Sequence, residues 1–321
     1  MIRIASLLLS LGFAVPSFGQ TPPPPPKEQP KTKGATPTQA NVPYGTHPRQ
    51  VLDFYQAKSD KPTPVVFCIH GGGWVNNDKG GYANSAAKYN AAGISVIAIN
   101  YRYTTQATEA KIEPPVKWPL EDAARALQFV RSKAKEWNLD KVHIGATGGS
   151  AGACSSLYLL YHDDMADPKS ADPIAHESTR LFCAAVDGAQ TTLDPKVLRE
   201  WMPNYTYGGH AFGFRTAEKR DGEFQRFYEN REKVLPWIKM YSPIEHVSKD
   251  DPPVFLFYGT AKGATVKGET KEDPTHAPLL GAILMEKLKE VGVEGIFVQP
   301  GKPNEKYKNS QEYLIDRLTA K

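Results

Sequence analysis

The chain has 321 residues, 40% of them hydrophobic, and a formal net charge of +4. This length and apolar content are enough for one globular domain with a large buried core. The small net charge and the scattered lysines argue against a nucleic acid as the partner.

The first 19 residues carry the pattern of a secretory signal peptide. Arg3 precedes an apolar run over residues 4–15, and the small residue Gly19 lies shortly after it. The run is too short to span a bilayer, and no cysteine follows it to accept a lipid. We therefore expect cleavage near Gly19 and a secreted or periplasmic protein with no stable membrane insertion.

Residues 20–42 predict a linker because they are rich in proline and contain the unbroken run Pro22–Pro26. Such a segment is an extended, semi-rigid spacer with little to bury. Engagement of a polyproline-binding partner is the alternative interpretation. The folded domain is expected over residues 43–321.

Apolar strands alternate with amphipathic helices along this domain, and the strand at 51–55 has the alternation of a half-exposed strand. Further strands are predicted up to Ile69 and at 94–99, 141–146, 181–186, 254–258 and 295–298. Helices are predicted at 83–92, 120–137, 153–161, 280–291 and 313–318. The alternation predicts an α/β fold, with a mostly parallel central sheet and helices on both faces.

The alternation stops at about 188–243, where aromatic residues are frequent and charged residues lie between them. This stretch predicts a helical cap insertion whose aromatic side chains line a pocket. Ordinary packing of an inserted helical layer is the alternative.

A serine follows the strand at 141–146 on a short glycine-rich turn. The turn reads Gly148-Gly149-Ser150-Ala151-Gly152, which is the G-x-S-x-G pattern of a nucleophile elbow. Small residues are needed two positions before and two after the serine, because larger side chains would collide across the bend. Ser150 is therefore the predicted nucleophile.

A second glycine-rich turn, His70-Gly71-Gly72-Gly73-Trp74, follows the strand that ends at Ile69. Its glycines can direct backbone N–H groups toward one point, which is how an oxyanion hole is formed. Both turns follow parallel strands, and ligands bind at the carboxyl ends of such strands.

With these two motifs, the chain from Val51 onward resembles the α/β-hydrolase fold. It is most similar to the esterase and lipase group that includes hormone-sensitive-lipase-like and feruloyl-esterase-like enzymes. The resemblance implies that Ser150 is the nucleophile and that the N–H groups of Gly72, Gly73 and Ala151 form the oxyanion hole. Further local matches are Asn100-Tyr101-Arg102, Trp118-Pro119 with Asp122, and Tyr241-Ser242-Pro243 before Pro252-Pro253-Val254.

The remaining members of the triad do not stand where this resemblance implies. In Gly259-Thr260-Ala261-Lys262 a lysine takes the place of the family's aspartate, and no histidine follows the last predicted strand. A serine hydroxyl is a poor nucleophile until a base removes its proton. His276, in the polar loop after the strand at 254–258, is the predicted base. His210, in the aromatic insertion, is the second candidate.

Asp187 is the predicted carboxylate because it ends the strand after the serine's helix, a position from which some members of the fold supply it. Glu272 and Asp273, which are near His276 in the sequence, are the alternatives. A purely structural role is also open for each residue: a turn before Gly188 for Asp187, and a helix entry for His276.

No cofactor and no metal site are expected. His162-Asp163-Asp164 resembles a set of metal ligands only in composition. Cys68, Cys154 and Cys183 fall in apolar segments, which predicts buried thiols rather than a disulfide framework.

The resemblance implies a secreted serine hydrolase that cleaves small-molecule or carbohydrate-linked carboxylic esters through an acyl-enzyme on Ser150. Esterase, lipase and carbohydrate deacetylase activities all use this machinery, whereas a peptidase is less expected because no second domain is visible. The alternative is a noncatalytic relative that keeps the fold, lacks the base, and binds a ligand or a cell-envelope partner. The sequence does not set the oligomeric state.

Overall fold

The computed structural model describes residues 34–215, 219–259 and 265–320, which all lie in one compact unit that begins at Gly34. The predicted signal peptide (1–19) and most of the predicted linker lie outside the described residues, as does the segment Thr260–Lys262. Within the described part of the chain, no helix is long and apolar enough to cross a membrane.

Eight strands of the described residues form one sheet in the order β1-β2-β4-β3-β5-β6-β7-β8. Strands β1 and β2 are antiparallel to their neighbours, and all pairs from β4 to β8 are parallel. The predicted mostly parallel α/β sheet is confirmed. The strands are β1 (Gln39–Pro43), β2 (Val51–Tyr55), β3 (Thr63–Ile69), β4 (Ser95–Ile99), β5 (Leu139–Gly149), β6 (Cys183–Asp187), β7 (Val254–Phe257) and β8 (Gly295–Val298).

Helices cover both faces of the sheet, also as predicted. The helices are α1 (Ala83–Ala91), α2 (Thr104–Glu109), α3 (Lys117–Ser132), α4 (Ala134–Trp137), α5 (Ala151–Tyr161), α6 (Pro195–Trp201), α7 (Lys219–Glu229), α8 (Arg231–Tyr241), α9 (Pro278–Val291) and α10 (Ser310–Thr319). The single helix predicted at 120–137 is divided between α3 and α4, and α2 was not predicted.

The amino-terminal edge of the sheet corrects two predictions. Residues 39–42 were assigned to the linker, but they belong to β1, which pairs with β2. Strand β2 was expected to be half-exposed, but Leu52 to Tyr55 are all buried. The burial includes Asp53, whose carboxylate accepts a hydrogen bond from the Asn41 N–H and lies 3.1 Å from Lys79 Nζ. A strand that seals an edge satisfies backbone groups that would otherwise be unpaired.

Strand β6 shows how side chains are divided between the two layers of the core. Ala184 and Val186 belong to the larger cluster, which includes residues of α3, α5 and α9. Cys183 and Ala185 belong to the smaller cluster, which includes residues of α1 and α10. Successive side chains of a strand point to opposite faces of the sheet. The side chains that follow along β6 therefore alternate between the two layers.

The segment between β6 and β7 is helical, as the aromatic stretch at 188–243 predicted. Its described residues contain α6, α7 and α8 together with 3₁₀ turns at Gly209–Phe212 and Pro243–His246. Most of its aromatic side chains are buried, for example Phe224 and Phe227. We refer to residues 188–243 as the helical insertion.

Candidate active site

Ser150 lies at the sharp turn between β5 and α5. Its backbone has φ 53° and ψ −122°, outside the regions that non-glycine residues normally occupy. A Cβ on Gly148 would lie 2.5 Å from the Ile69 carbonyl oxygen, and one on Gly152 would lie 2.0 Å from the same atom. The two flanking glycines therefore let the elbow pack against the end of β3, which is the reason the sequence motif requires them.

The second turn has its carbonyl groups directed into the protein. The Tyr101 hydroxyl donates to the carbonyls of His70 (2.8 Å) and Gly71 (3.1 Å), and the Gly72 carbonyl accepts from the Val75 N–H. No described residue accepts a hydrogen bond from the N–H groups of Gly72, Gly73 or Ala151. These amides are the donors that the sequence assigned to an oxyanion hole.

His70 supports this turn as a neutral imidazole. Its Nδ1 lies 2.9 Å from the Gly71 carbonyl oxygen, and its Nε2 lies 3.4 Å from a guanidinium nitrogen of Arg49. A carbonyl only accepts and a guanidinium only donates, so Nδ1 carries the proton and Nε2 accepts. Burial lowers the pKa of His70 to about 4. His70 therefore braces the turn as a neutral imidazole, with its Nδ1 proton bound to the Gly71 carbonyl.

The turn is also attached to the helix behind the serine and to the helical insertion. Trp74, at φ 59°, donates from its indole Nε1 to the Ser155 hydroxyl of α5 at 2.9 Å. From the insertion, His210 donates from Nε2 to the Gly73 carbonyl at 2.8 Å. Burial lowers the pKa of His210, which favours its neutral form. His210 therefore supports the oxyanion turn and does not act as the base, the alternative role that the sequence left open for it.

His276 reaches Ser150 from the loop between β7 and α9, as the sequence predicted. Its Nε2 lies 2.9 Å from the Ser150 Oγ, within hydrogen-bond distance. The imidazole packs against Gly188, which has φ 58° and whose added Cβ would lie 3.4 Å from His276 Cδ2. A glycine after β6 therefore leaves room for the histidine.

The carboxylate partner of His276 is Asp273, three residues earlier. Its Oδ2 lies 2.6 Å from His276 Nδ1, and its Oδ1 accepts a hydrogen bond from the Thr275 N–H. Asp273 is the N-cap of the short 3₁₀ turn Pro274–His276. Because the carboxylate accepts from Nδ1–H, the Nε2 lone pair is directed at the serine hydroxyl.

The prediction of Asp187 as this carboxylate is wrong, and strand geometry gives the reason. Asp187 continues the row of Cys183 and Ala185, so its side chain faces α10, where the Ser310 hydroxyl donates to Oδ1 at 2.9 Å. The next residue, Gly188, faces the imidazole instead. Partial burial raises the pKa of Asp187 to about 6, and the Ser310 hydrogen bond opposes this rise.

The loop that carries Asp273 and His276 is held mainly by the helical insertion. Asn204 and Lys271 exchange two hydrogen bonds between the asparagine side chain and the lysine backbone. Arg220 donates to the Thr275 hydroxyl at 2.5 Å. Gln190, at the start of the insertion, donates to the Thr275 carbonyl at 2.7 Å. The insertion therefore positions both the oxyanion turn and the base.

The sequence carries a local signal that favours Asp273 over Asp187 as the partner of His276. Asp-Pro-Thr-His is the pattern of an N-cap aspartate followed by proline at the first helical position. An N-cap carboxylate folds back over the first turn, toward the residue three positions later, which here is His276. The lysine of Gly259-Thr260-Ala261-Lys262 lies outside the described residues.

A cleft of about 530 Å³ opens above the two turns. It is lined by Ser150, Gly149, residues 70–72, Asn77, Asp78 and Tyr82, among others. The histidine and aspartate of the site are reached by solvent, since their side chains are 39% and 56% exposed. The arrangement can take a proton from the serine hydroxyl and place amide dipoles beside the reacting atom.

The remaining candidates of the sequence are the cluster His162-Asp163-Asp164 and the three cysteines. In the described part of the chain, no group of three His, Cys, Asp or Glu side chains is arranged to hold a metal ion, and this includes His162-Asp163-Asp164. The three cysteines Cys68, Cys154 and Cys183 are free and buried, as predicted.

Comparison with solved structures agrees with this fold. The chain is similar to a truncated carbohydrate esterase from gut microbiota, with a TM-score of 0.64 and 20% identity over 89% of this chain and 100% of that one. It is also similar to the native form of a thermophilic esterase, Est2 from Thermogutta terrifontis, with a TM-score of 0.58 and 20% identity over 84% of this chain and 82% of that one. The α/β-hydrolase fold that the motifs implied is confirmed.

Proteins that are similar to this chain in sequence also have esterase names. A probable isoprenylcysteine alpha-carbonyl methylesterase of Oryza sativa is 31% identical over 72% of this chain and 51% of its own length. Esterase LipC of Mycobacterium tuberculosis is 25% identical over 68% of this chain and 49% of its own length. The chain spans about half the length of these curated relatives.

A family model covers most of the domain. The BD-FAE model matches residues 52–269, a range that includes both glycine turns and ends before Asp273 and His276. The chain therefore belongs to the BD-FAE family.

Proposed function

We propose that this protein is a carboxylic ester hydrolase that works through an acyl-enzyme on Ser150. The observation that carries the proposal is the 2.9 Å contact between Ser150 Oγ and His276 Nε2 at the mouth of the cleft. The esterase names of the relatives and of the structural neighbours support the same reaction class.

In the first half of the reaction, His276 Nε2 takes the proton of the Ser150 hydroxyl while Oγ attacks the carbonyl carbon of the ester. The carbonyl π electrons move to the oxygen, and the N–H groups of Gly72, Gly73 and Ala151 stabilise the resulting oxyanion. The oxyanion then collapses, the bond to the leaving alkoxide breaks, and His276 gives its proton to that oxygen.

In the second half, water replaces the alcohol. His276 removes a proton from the water, whose oxygen attacks the acyl carbon, and the bond to Ser150 Oγ breaks as Oγ regains the proton. Asp273 fixes the imidazole tautomer and stabilises its protonated form throughout. The contact between His276 and Ser150 supports a catalytic protein over the alternative, a noncatalytic relative that lacks the base.

We propose that the substrate is a small-molecule or carbohydrate-linked ester, which the protein encounters outside the cytoplasm. The open cleft of about 530 Å³ and the exposed triad favour a substrate that is reached from solvent. The signal-peptide pattern of residues 1–19 supports secretion or a periplasmic location.

The test is hydrolysis of p-nitrophenyl acetate by the purified protein and by Ser150→Ala. We expect the variant to lose the activity, and Ser59→Ala, at an exposed serine, to keep it. A fluorophosphonate probe should label the wild-type protein at Ser150, and labelling should fall sharply in His276→Ala. Equal rates for wild type and Ser150→Ala, or absence of labelling at any pH, would refute the proposal.

A further inference from the structure

A second cavity of about 330 Å³ lies beside the active-site cleft, between α1 and the beginning of α10. The two share Tyr82, whose hydroxyl donates to the carbonyl of Ile69 at 2.8 Å. The strands that contribute to the two cavities are neighbours in the sheet. Gly149, which lines the cleft, pairs with Asp187, which lines the second cavity. We refer to this cavity as the Asp187 pocket.

Three hydroxyl groups of the Asp187 pocket already donate hydrogen bonds to the protein. Ser85 donates to the Tyr82 carbonyl, Thr147 to the Ala185 carbonyl, and Ser310 to the Asp187 carboxylate. A serine or threonine hydroxyl has one proton and two lone pairs. These groups therefore present lone pairs to the cavity.

The carboxylate of Asp187 also has unused acceptor capacity. Ser310 donates to Oδ1, and no described residue donates to Oδ2. An ionised carboxylate offers about four lone-pair positions. The triad does not use this group, since Asp273 is the partner of His276. The pocket thus offers acceptor positions to a ligand that supplies hydrogen-bond donors.

The charged side chains that line the pocket limit the kind of donor group that a ligand can carry. Asp187 and Lys88 both line the cavity, so their opposite charges give neither an anion nor a cation a net attraction. Neutral hydroxyl groups remain. The ring of Tyr89, which also lines the cavity, offers an apolar surface for the carbon atoms that bear them.

We propose that the Asp187 pocket is a subsite for a neutral, polyhydroxylated group of the ester substrate, of about the size of one sugar ring. The position beside Gly149 and Ser150 lets one molecule place its ester at the serine and its hydroxyl groups at Asp187. This inference rests on the proposed ester hydrolysis, and it makes Asp187 and Ser310 specificity-determining residues with no part in proton transfer.

The first test compares two acetate esters, an O-acetylated methyl pentoside and p-nitrophenyl acetate. We expect Asp187→Asn and Ser310→Ala to lower the ratio of kcat/KM for the glycoside ester to kcat/KM for p-nitrophenyl acetate by about tenfold. Asp60→Asn, at an exposed carboxylate, is the matched control and should leave the ratio at its wild-type value. An unchanged ratio in Asp187→Asn, with both rates equal to wild type or both lowered together, would overturn the proposal.

The second test measures binding without catalysis. Calorimetric titration of Ser150→Ala with the same methyl pentoside acetate should give saturable binding, and Ser150→Ala combined with Asp187→Asn should bind about tenfold more weakly. Equal affinity for the two proteins would overturn the subsite. If wild type hydrolyses no ester but Asp187-dependent binding persists, the ester hydrolase proposal fails while the pocket stands.

Discussion

His276 and Asp273 are three residues apart, and Nδ1 of the imidazole lies 2.6 Å from Oδ2 of the carboxylate. Base and orienting acid therefore come from one short 3₁₀ turn. A single loop places both groups at the serine, so the rigidity of that loop decides how well the site is organised.

Asp273→Asn should lower kcat for p-nitrophenyl acetate by about 10–100-fold. An amide no longer fixes the imidazole tautomer or stabilises its protonated form. The loss should be smaller than for a deeply buried aspartate because the Asp273 side chain is 56% exposed. Steady-state kinetics measure the effect.

Asp187→Asn is the matched comparison for this experiment. Its side chain faces Ser310 on the other layer of the sheet, so its effect on kcat for the same ester should be several times smaller. A larger loss in Asp187→Asn than in Asp273→Asn would restore the assignment made from the sequence.

Gly152→Ala should destabilise the fold by about 1–3 kcal/mol, the usual cost of overpacking. The new Cβ would lie 2.0 Å from the Ile69 carbonyl oxygen and 2.8 Å from the His70 carbonyl carbon, so the elbow and the end of β3 must separate. Thermal unfolding measures the change. Gly81→Ala is the control, since a Cβ there meets no atom within 4 Å. Equal melting temperatures for the two variants would contradict the packing argument.

His210→Ala should lower kcat by about 10–100-fold with little change in KM, because the oxyanion turn loses the hydrogen bond to the Gly73 carbonyl. A displaced oxyanion donor weakens transition-state binding more than substrate binding. His210→Gln, which can again donate to that carbonyl, should restore much of the rate. An equal loss in both variants would indicate a packing role, and the same substitutions at the exposed His176 serve as the control.

Acid should destabilise the protein partly through His70. Its pKa is about 4 in the folded state against a reference of 6.5, so the unfolded chain binds the proton more readily between these values. The full stability is present above pH 6.5 and is lost as the pH falls toward 4. At pH 5 this loss amounts to about 2 kcal/mol.

Denaturant unfolding at pH 8 and pH 5 checks this value. The difference in unfolding free energy between the two pH values should be about 2 kcal/mol smaller in His70→Asn than in wild type. His176→Gln should behave as wild type does. A His70→Asn protein with the wild-type pH dependence would show that the imidazole already gains its proton in the folded state.

The amino-acid sequence by itself determined the parallel sheet, the two glycine turns and the identity of the serine. These features are local: strand and helix periodicity, and the space that glycines must leave across a tight bend, are written in neighbouring residues. His276 followed from the sequence by its place in a loop at the correct edge of the sheet.

Only the tertiary structure decided which carboxylate serves that histidine, and which residues hold the site together. The side chain of Asp187 is directed by the pleat of β6 to the layer of α10, and the carboxylate of Asp273 is directed to His276 by the N-cap of its turn. The hydrogen bond from His210 to Gly73 joins residues 137 positions apart. A contact of this kind depends on how the helical insertion packs against the sheet, and no local pattern in the sequence encodes that packing.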